Sequence, residues 1–256
     1  MTAETERARE LQEKIADKVY DAARERSYVA LDIPTMSEAL QIVDTLGDAV
    51  DGYKVGLELF YGAGPGVIEA LAERGKRIFL DIKLHDIPTT VAHALRVVCE
   101  WPIEMVNVHS AGGLAMLESA REAVHASTYR PLLIGVTVLT SLSDADLQRL
   151  GLREAGNLPV AWSELCLSAG LNGVVTSALD VESVAAACGP EFITVVPGTR
   201  PTFADRDDQH RVLTPGEAIA KGAHRLVLGR AVTRATNQLG ALGAIYDEMI
   251  AALRFE

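Results

Sequence analysis

The chain has 256 residues, 48% of them hydrophobic and 23% charged, with a mean hydropathy of +0.15, which excludes a disordered tail, a collagen-like repeat and a coiled coil. Its 35 acidic and 24 basic side chains leave a formal charge of −11, unsuited to coating a nucleic-acid polymer or an anionic membrane. The length admits one or two ordinary domains, or a single closed α/β barrel of about 250 residues.

Residues 4–26 carry Leu11, Ile15, Ala16 and Val19 at helical spacing among alternating charges, which predicts an amphipathic helix across one end of the fold. This charged N-terminus has no signal-peptide core, and no later run approaches about 18 apolar residues. A cytoplasmic protein is expected, without a membrane partner.

Short apolar runs then recur at 28–33, 52–57, 77–82, 105–109, 132–139, 173–176, 192–196 and 225–228. They are rich in Val, Ile and Leu without strict polar alternation, as strands buried on both faces of a parallel sheet should be. Helical stretches separate them: Ser37 opens 38–46 before Gly47, Pro65 starts a run closed by Gly75, 144–150 reads as an extra short helix, and 215–221 stops at Gly222. Eight strand and helix repeats without a linker predict a single-domain (β/α)8 TIM barrel spanning 28–256, with residues 1–27 as an N-terminal helical extension packed on it. Cys99, Cys166 and Cys188 are widely spaced and form no Cys-x-x-Cys; they are expected to be reduced thiols, with no zinc site.

In such a barrel the chemistry sits at the C-terminal strand ends. Here those ends carry Asp32, Lys54, Asp81 with Lys83, His109 with Ser110, Thr140 with Ser141, Ser177, the Pro197-Gly198-Thr199-Arg200 turn and Gly229-Arg230. Asp81 and Lys83 are two apart and therefore face the same side of a strand. An unpaired buried ion costs several kcal/mol, so this crowding implies pairing, function or both. Asp86 lies beyond the strand, in a turn toward the next helix. The turns after the seventh and eighth strands are where barrels frequently hold phosphate, and both carry an arginine. The polar stretch 201–211 is long enough to fold over a ligand as a lid. His85, His93 and His109 lack metal-ligand spacing, and His109 reads as a strand-end hydrogen-bonding residue. Trp101 and Trp162 read as packing.

Taken together, Leu80-Asp81-Ile82-Lys83-Leu84-His85-Asp86-Ile87-Pro88, Val138-Leu139-Thr140-Ser141, Pro197-Gly198-Thr199-Arg200-Pro201, Asp208-Gln209 and Leu228-Gly229-Arg230 resemble the orotidine 5′-phosphate decarboxylase family across residues 32–233. The resemblance implies conversion of orotidine 5′-monophosphate to UMP and CO2 without a cofactor. It also implies an alternating array of Lys54, Asp81, Lys83 and Asp86, with Asp86 reaching the partner's site in a homodimer. Lys83 would protonate the pyrimidine carbon that loses CO2, while Lys54 would orient Asp81 and touch the ribose. Asp32 would meet the ribose or base edge, Thr90 the partner's ribose, and Thr140 and Ser141 the pyrimidine. Ile87 and Pro197 would join the substrate contacts. Gln209 would bridge lid, base and phosphate, and the phosphate would sit on Arg230, the Gly229 N–H and Arg200. The chain departs from the family pattern at Val196, where Thr is common, at Thr199, where Ile is typical, and at Trp101-Pro102, which replaces a Gly-containing segment.

Two rival readings remain at this point. A metal-dependent sugar-phosphate aldolase or decarboxylase of the same superfamily would use Asp81, Lys83 and Asp86 around Mg²⁺, but such sites need carboxylates free to coordinate; Glu58 is the extra acid near the second strand. A catalytically silent nucleotide-binding barrel would have no need of such costly charge crowding.

Overall fold

The computed structural model describes residues 17–152, 157–203 and 213–253. Eight parallel strands close on themselves in chain order, from β1 through β8 and back to β1: β1 Ser27–Ala30, β2 Gly52–Gly56, β3 Arg77–Leu84, β4 Met105–His109, β5 Leu132–Val136, β6 Gly173–Val175, β7 Ile193–Pro197 and β8 Arg225–Leu228. The expected (β/α)8 barrel is present.

Alternation within each strand divides the apolar residues into two layers. One set, including Val29, Val55, Leu80, Val106 and Val196, packs outward against the helices. The other, including Tyr28, Ala30, Phe79, Met105, Ile134, Val195 and Val227, fills the lumen. At the N-terminal end of the barrel the lumen is closed by polar groups: the Tyr28 hydroxyl donates to Glu104 at 2.6 Å, and Arg77 pairs with Glu104 at 3.1 Å. Burial and the adjoining Glu104 push the Tyr28 phenol up, so it stays neutral. One end of the barrel is thus sealed, leaving chemistry to the other.

The helices are α1 (residues 17–25), α2 Met36–Leu46, α3 Leu57–Ala63, α4 Gly66–Ala72, α5 Pro88–Val98, α6 Leu114–His125, α7 Asp144–Arg149, α8 Leu158–Ser168, α9 Val181–Cys188, α10 Pro215–Ala220, α11 Arg230–Thr233 and α12 Gln238–Leu253. The extra short helix is α7, started by a reciprocal Ser143 and Asp146 capping box. α10 starts the same way with Thr214 and Glu217. Residues 1–16 of the expected N-terminal helix lie outside the described residues; within α1, Ala23 is fully buried in the outer core and Arg24 pairs with Asp51 at 3.1 Å.

Several boundaries differ from the sequence reading, each for a local reason. The cap of α2 is Thr35, whose hydroxyl accepts the Glu38 N–H, rather than Ser37. β1 ends at Ala30, placing Asp32 in the following loop, and β5 ends at Val136, freeing Val138, Leu139 and Thr140 to line the barrel mouth. The 52–57 run ends one residue early because Leu57 begins α3, a helix hidden by the Gly64-Pro65 break that follows it. β3 runs on to Leu84 because it carries a bulge, described below. Cys99 and Cys166 are buried free thiols and Cys188 is partly exposed. Among the described residues no helix is long and apolar enough to cross a membrane.

Candidate active site

A cavity of about 690 Å³ opens at the C-terminal end of the barrel, floored by Ala30, Phe79, Val136, Val175 and Val227, the upward continuation of the lumen. Its walls differ in charge. Asp32, Lys54, Asp81 and Lys83 stand on the β1–β3 side, and Arg200, Arg230 and Arg234 on the β7–β8 side; Thr140, Pro197, Thr199 and Gly229 complete the rim.

The β1–β3 wall is a chain of alternating charges. Lys54 Nζ lies 2.8 Å from Asp32 Oδ1 and 3.4 Å from Asp81 Oδ2, and Lys83 Nζ lies 2.6 Å from Asp81 Oδ1. Burial alone pushes the Asp81 carboxyl up, but the Lys54 and Lys83 ammonium groups and hydrogen bonds from Lys83 and Asn107 outweigh it, holding the group ionised below the usual carboxylate range. Strand register builds this geometry by setting Gly56 of β2 beside Asp81 of β3. A Cβ at Gly56 would stand 2.8 Å from Lys54 Nζ and 3.2 Å from Asp32 Oδ1, so a side chain there would displace the lysine.

Asp81 and Lys83 do share one side of β3, but not through a regular strand. Lys83 has φ +46°, a left-handed conformation that costs a non-glycine residue roughly 1–3 kcal/mol and persists where its surroundings enforce it. The enforcing group is Asn107 of β4, fully buried, whose carboxamide oxygen accepts the Lys83 N–H at 2.7 Å and whose NH2 donates to Asp81 Oδ1 at 2.7 Å.

Of the predicted site residues, the structure brings Asp32, Lys54, Asp81, Lys83, Thr140, Pro197, Arg200, Gly229 and Arg230 to one cavity. Asp86, Ile87, Thr90 and Ser141 are exposed and outside its lining; Asp86 and Ile87 lie between β3 and α5, and Thr90 on the first turn of α5. Gln209 and most of the expected 201–211 lid lie outside the described residues. His109 accepts the Ala111 N–H at its Nδ1, as a strand-end hydrogen-bonding residue should, and stacks on His85 at 5.1 Å between ring centroids. Burial, then His85 and Lys83, lower its pKa. Trp101 packs on Phe60 and Trp162 on His109. Sequence reasoning missed Asn107, Thr176 and Arg234. Asn107 carried a signal, a lone amide inside the apolar run 105–109, whereas Arg234 looked like any helix-end cation.

A barrel whose cavity is lined by paired charges from the β1–β3 side and arginines from the β7–β8 side is built as an enzyme for a small anion-bearing substrate rather than as a scaffold. The profile of the Orotidine 5′-phosphate decarboxylase / HUMPS family matches residues 25–245, and the chain belongs to that family. It is similar to the orotidine 5′-phosphate decarboxylases of Moorella thermoacetica, 44% identical over 89% of this chain and 93% of that one, and of Alkalilimnicola ehrlichii, 47% identical over 88% and 97%. Among solved structures it is similar to orotidine 5′-phosphate decarboxylase from Lactobacillus acidophilus, with a TM-score of 0.74 and 34% identity over 87% of this chain and 98% of that one.

Proposed function

We propose that this chain decarboxylates orotidine 5′-monophosphate to UMP and CO2, in pyrimidine biosynthesis. The observation that carries the reading is the Asp32–Lys54–Asp81–Lys83 chain of contacts at 2.8, 3.4 and 2.6 Å, in one cavity with three arginines above an apolar floor. That floor accommodates a flat base, and the arginines suit a phosphate.

Breaking the bond between the ring and its carboxylate leaves an electron pair in the ring plane, where no π system delocalises it. Stabilisation must then come from charge already in place. Lys83, held by Asp81 and by its own bulged backbone, supplies an ammonium beside the developing carbanion and transfers a proton from Nζ to that carbon; the amine is reprotonated from solvent. Asp81 stands where the departing carboxylate is held, and Lys54 keeps Asp81 ionised and oriented. Asp32 and Lys54 contact the ribose, Thr140 and Ser141 the pyrimidine, and Ile87 and Pro197 flank the substrate. Arg200, Arg230 and the Gly229 N–H hold the phosphate. Its binding energy, remote from the broken bond, is available to the transition state, and Gln209 contacts base and phosphate. Asp86 and Thr90, exposed beside β3, complete the site of a second copy in a homodimer. The protein acts in the cytoplasm.

A metal-centred alternative fits poorly, because both Asp81 oxygens are already engaged by Lys54, Lys83 and Asn107 and a coordinating carboxylate must be free. The test is to follow the ultraviolet absorbance of orotidine 5′-monophosphate with purified protein, with and without excess EDTA. Equal turnover in both is expected; no turnover refutes the activity, and turnover abolished by EDTA refutes the metal-free mechanism.

A further inference from the structure

We infer that Asn107 is a positioning residue for the proposed decarboxylation, setting at once the orientation of the Asp81 carboxylate and the backbone of Lys83; the inference rests on the decarboxylase reading. Between the Leu80–Val106 and Leu84–Val108 pairs, β3 advances four residues while β4 advances two. Asp81, Ile82 and Lys83 occupy this bulge, opposite Asn107. A regular ladder would give the Lys83 N–H a backbone acceptor. Instead the N–H turns to the Asn107 carboxamide oxygen at 2.7 Å, with Lys83 at φ +46°. The same amide donates to Asp81 Oδ1 at 2.7 Å, the oxygen that also receives Lys83 Nζ at 2.6 Å. One buried side chain thus ties together the backbone of the proton donor and the carboxylate beside it.

The residue type follows from the two partners. A backbone N–H can only donate and an ionised carboxylate can only accept, so the bridging group must offer one acceptor and one donor on the same carbon. A carboxamide does; a carboxylate offers two acceptors, and an alanine neither. The charged groups around it are Asp81 and Lys83 of β3, with Lys54 and Asp32 beyond Asp81; His109 lies two residues along β4 with His85 stacked on it, and β5 contributes apolar Ile134 in register.

Two variants test this. Asn107→Ala leaves the Lys83 N–H without its acceptor and deletes one donor to Asp81, and misplacement of a reacting group by about 1 Å costs on the order of 100-fold. The loss should fall on kcat, with KM for orotidine 5′-monophosphate changed less than about threefold because the arginine wall is untouched. Asn107→Asp is isosteric but sets a second carboxylate against Asp81 Oδ1. The pair shares a proton with a raised apparent pKa, and the protonated acid reproduces the amide's donor and acceptor. Its kcat should therefore be highest at acid pH and fall as pH rises through that value, a limb absent from the wild-type profile.

An Asn107→Ala kcat within about threefold of wild type overturns the inference, as does an Asn107→Asp profile parallel to wild type. Should Asn107→Ala fail to fold, Asn107→Asp decides alone, and its failure to fold at every pH from about 5 to 8 also overturns the inference by marking the amide as merely structural. The wild-type protein is assayed alongside. If it does not decarboxylate, the decarboxylase reading is refuted and the inference falls with it; if it does and the variants behave like it, the inference alone is refuted.

Discussion

Replacing Asp81 with Asn keeps the side-chain shape and removes the anion shared by two lysines. Lys54 retains Asp32 at 2.8 Å, but Lys83 loses the carboxylate 2.6 Å from its Nζ. Removing one member of a fully buried ion pair costs about 3–5 kcal/mol. The Lys83 side chain is 33% exposed and can rehydrate, and Lys54 keeps one partner, so about 2–3 kcal/mol is expected. For a chain of this size that lowers Tm by about 4–12 °C. The pH dependence has a definite sign. The folded-state pKa of Asp81 is depressed by Lys54, Lys83 and Asn107 against the opposing effect of burial, so its stabilisation is complete above the unfolded value of about 3.9 and is lost as pH falls through the lower folded value. The gap between wild type and Asp81→Asn should be constant from about pH 7 to 5 and narrow below about 4, where a protonated Asp81 resembles the amide. Thermal unfolding followed by circular dichroism, with urea unfolding across the acid range, measures it. Equal Tm values at neutral pH, or a gap that persists undiminished in acid, would refute the reasoning.

Other expectations concern the rest of the cavity. If Arg230 holds the phosphate, Arg230→Ala removes a charge-assisted contact worth about 1.5–3 kcal/mol, so kcat/KM in the orotidine 5′-monophosphate assay should fall about 10–150-fold; near-wild-type kinetics would remove the phosphate from that wall. Gly56→Ala places a Cβ 2.8 Å from Lys54 Nζ and should lower kcat by about 10–100-fold while leaving the far-ultraviolet spectrum unchanged; retained kcat would show that Lys54 need not hold its place. If Asp86 serves the partner's site, inactive Asp86→Ala and Lys83→Ala proteins refolded together should regain about a quarter of wild-type activity, because half the dimers are mixed and each has one intact site. No recovery would place Asp86 outside a shared site.

How much was legible in the sequence depended on whether a residue's neighbours were local. The strands could be read because parallel strands buried on both faces are apolar throughout, and Arg200 and Arg230 of the cavity because they lie in the turns after the seventh and eighth strands. The identity of residues two apart correctly set Asp81 beside Lys83, but the bulge that brings it about was invisible, since it depends on β4 rather than on β3. Asn107 was passed over for the same reason: its partners are 24 and 26 residues distant, and between Val106 and Val108 it looked like a strand interruption. α3 escaped because the Gly64-Pro65 break that ends it also looked like the start of the next helix. Net charge spoke least about the site, since a chain at −11 sets three arginines along one wall of its cavity.

Whether Lys83 supplies the proton is tested by comparing wild type with Lys83→Ala on orotidine 5′-monophosphate in D2O containing excess EDTA. The wild-type protein should form UMP carrying one deuterium at the carbon that lost CO2, and Lys83→Ala, folded by circular dichroism, should form essentially none. UMP formed by Lys83→Ala at a rate near that of wild type would rule out Lys83 as the proton donor.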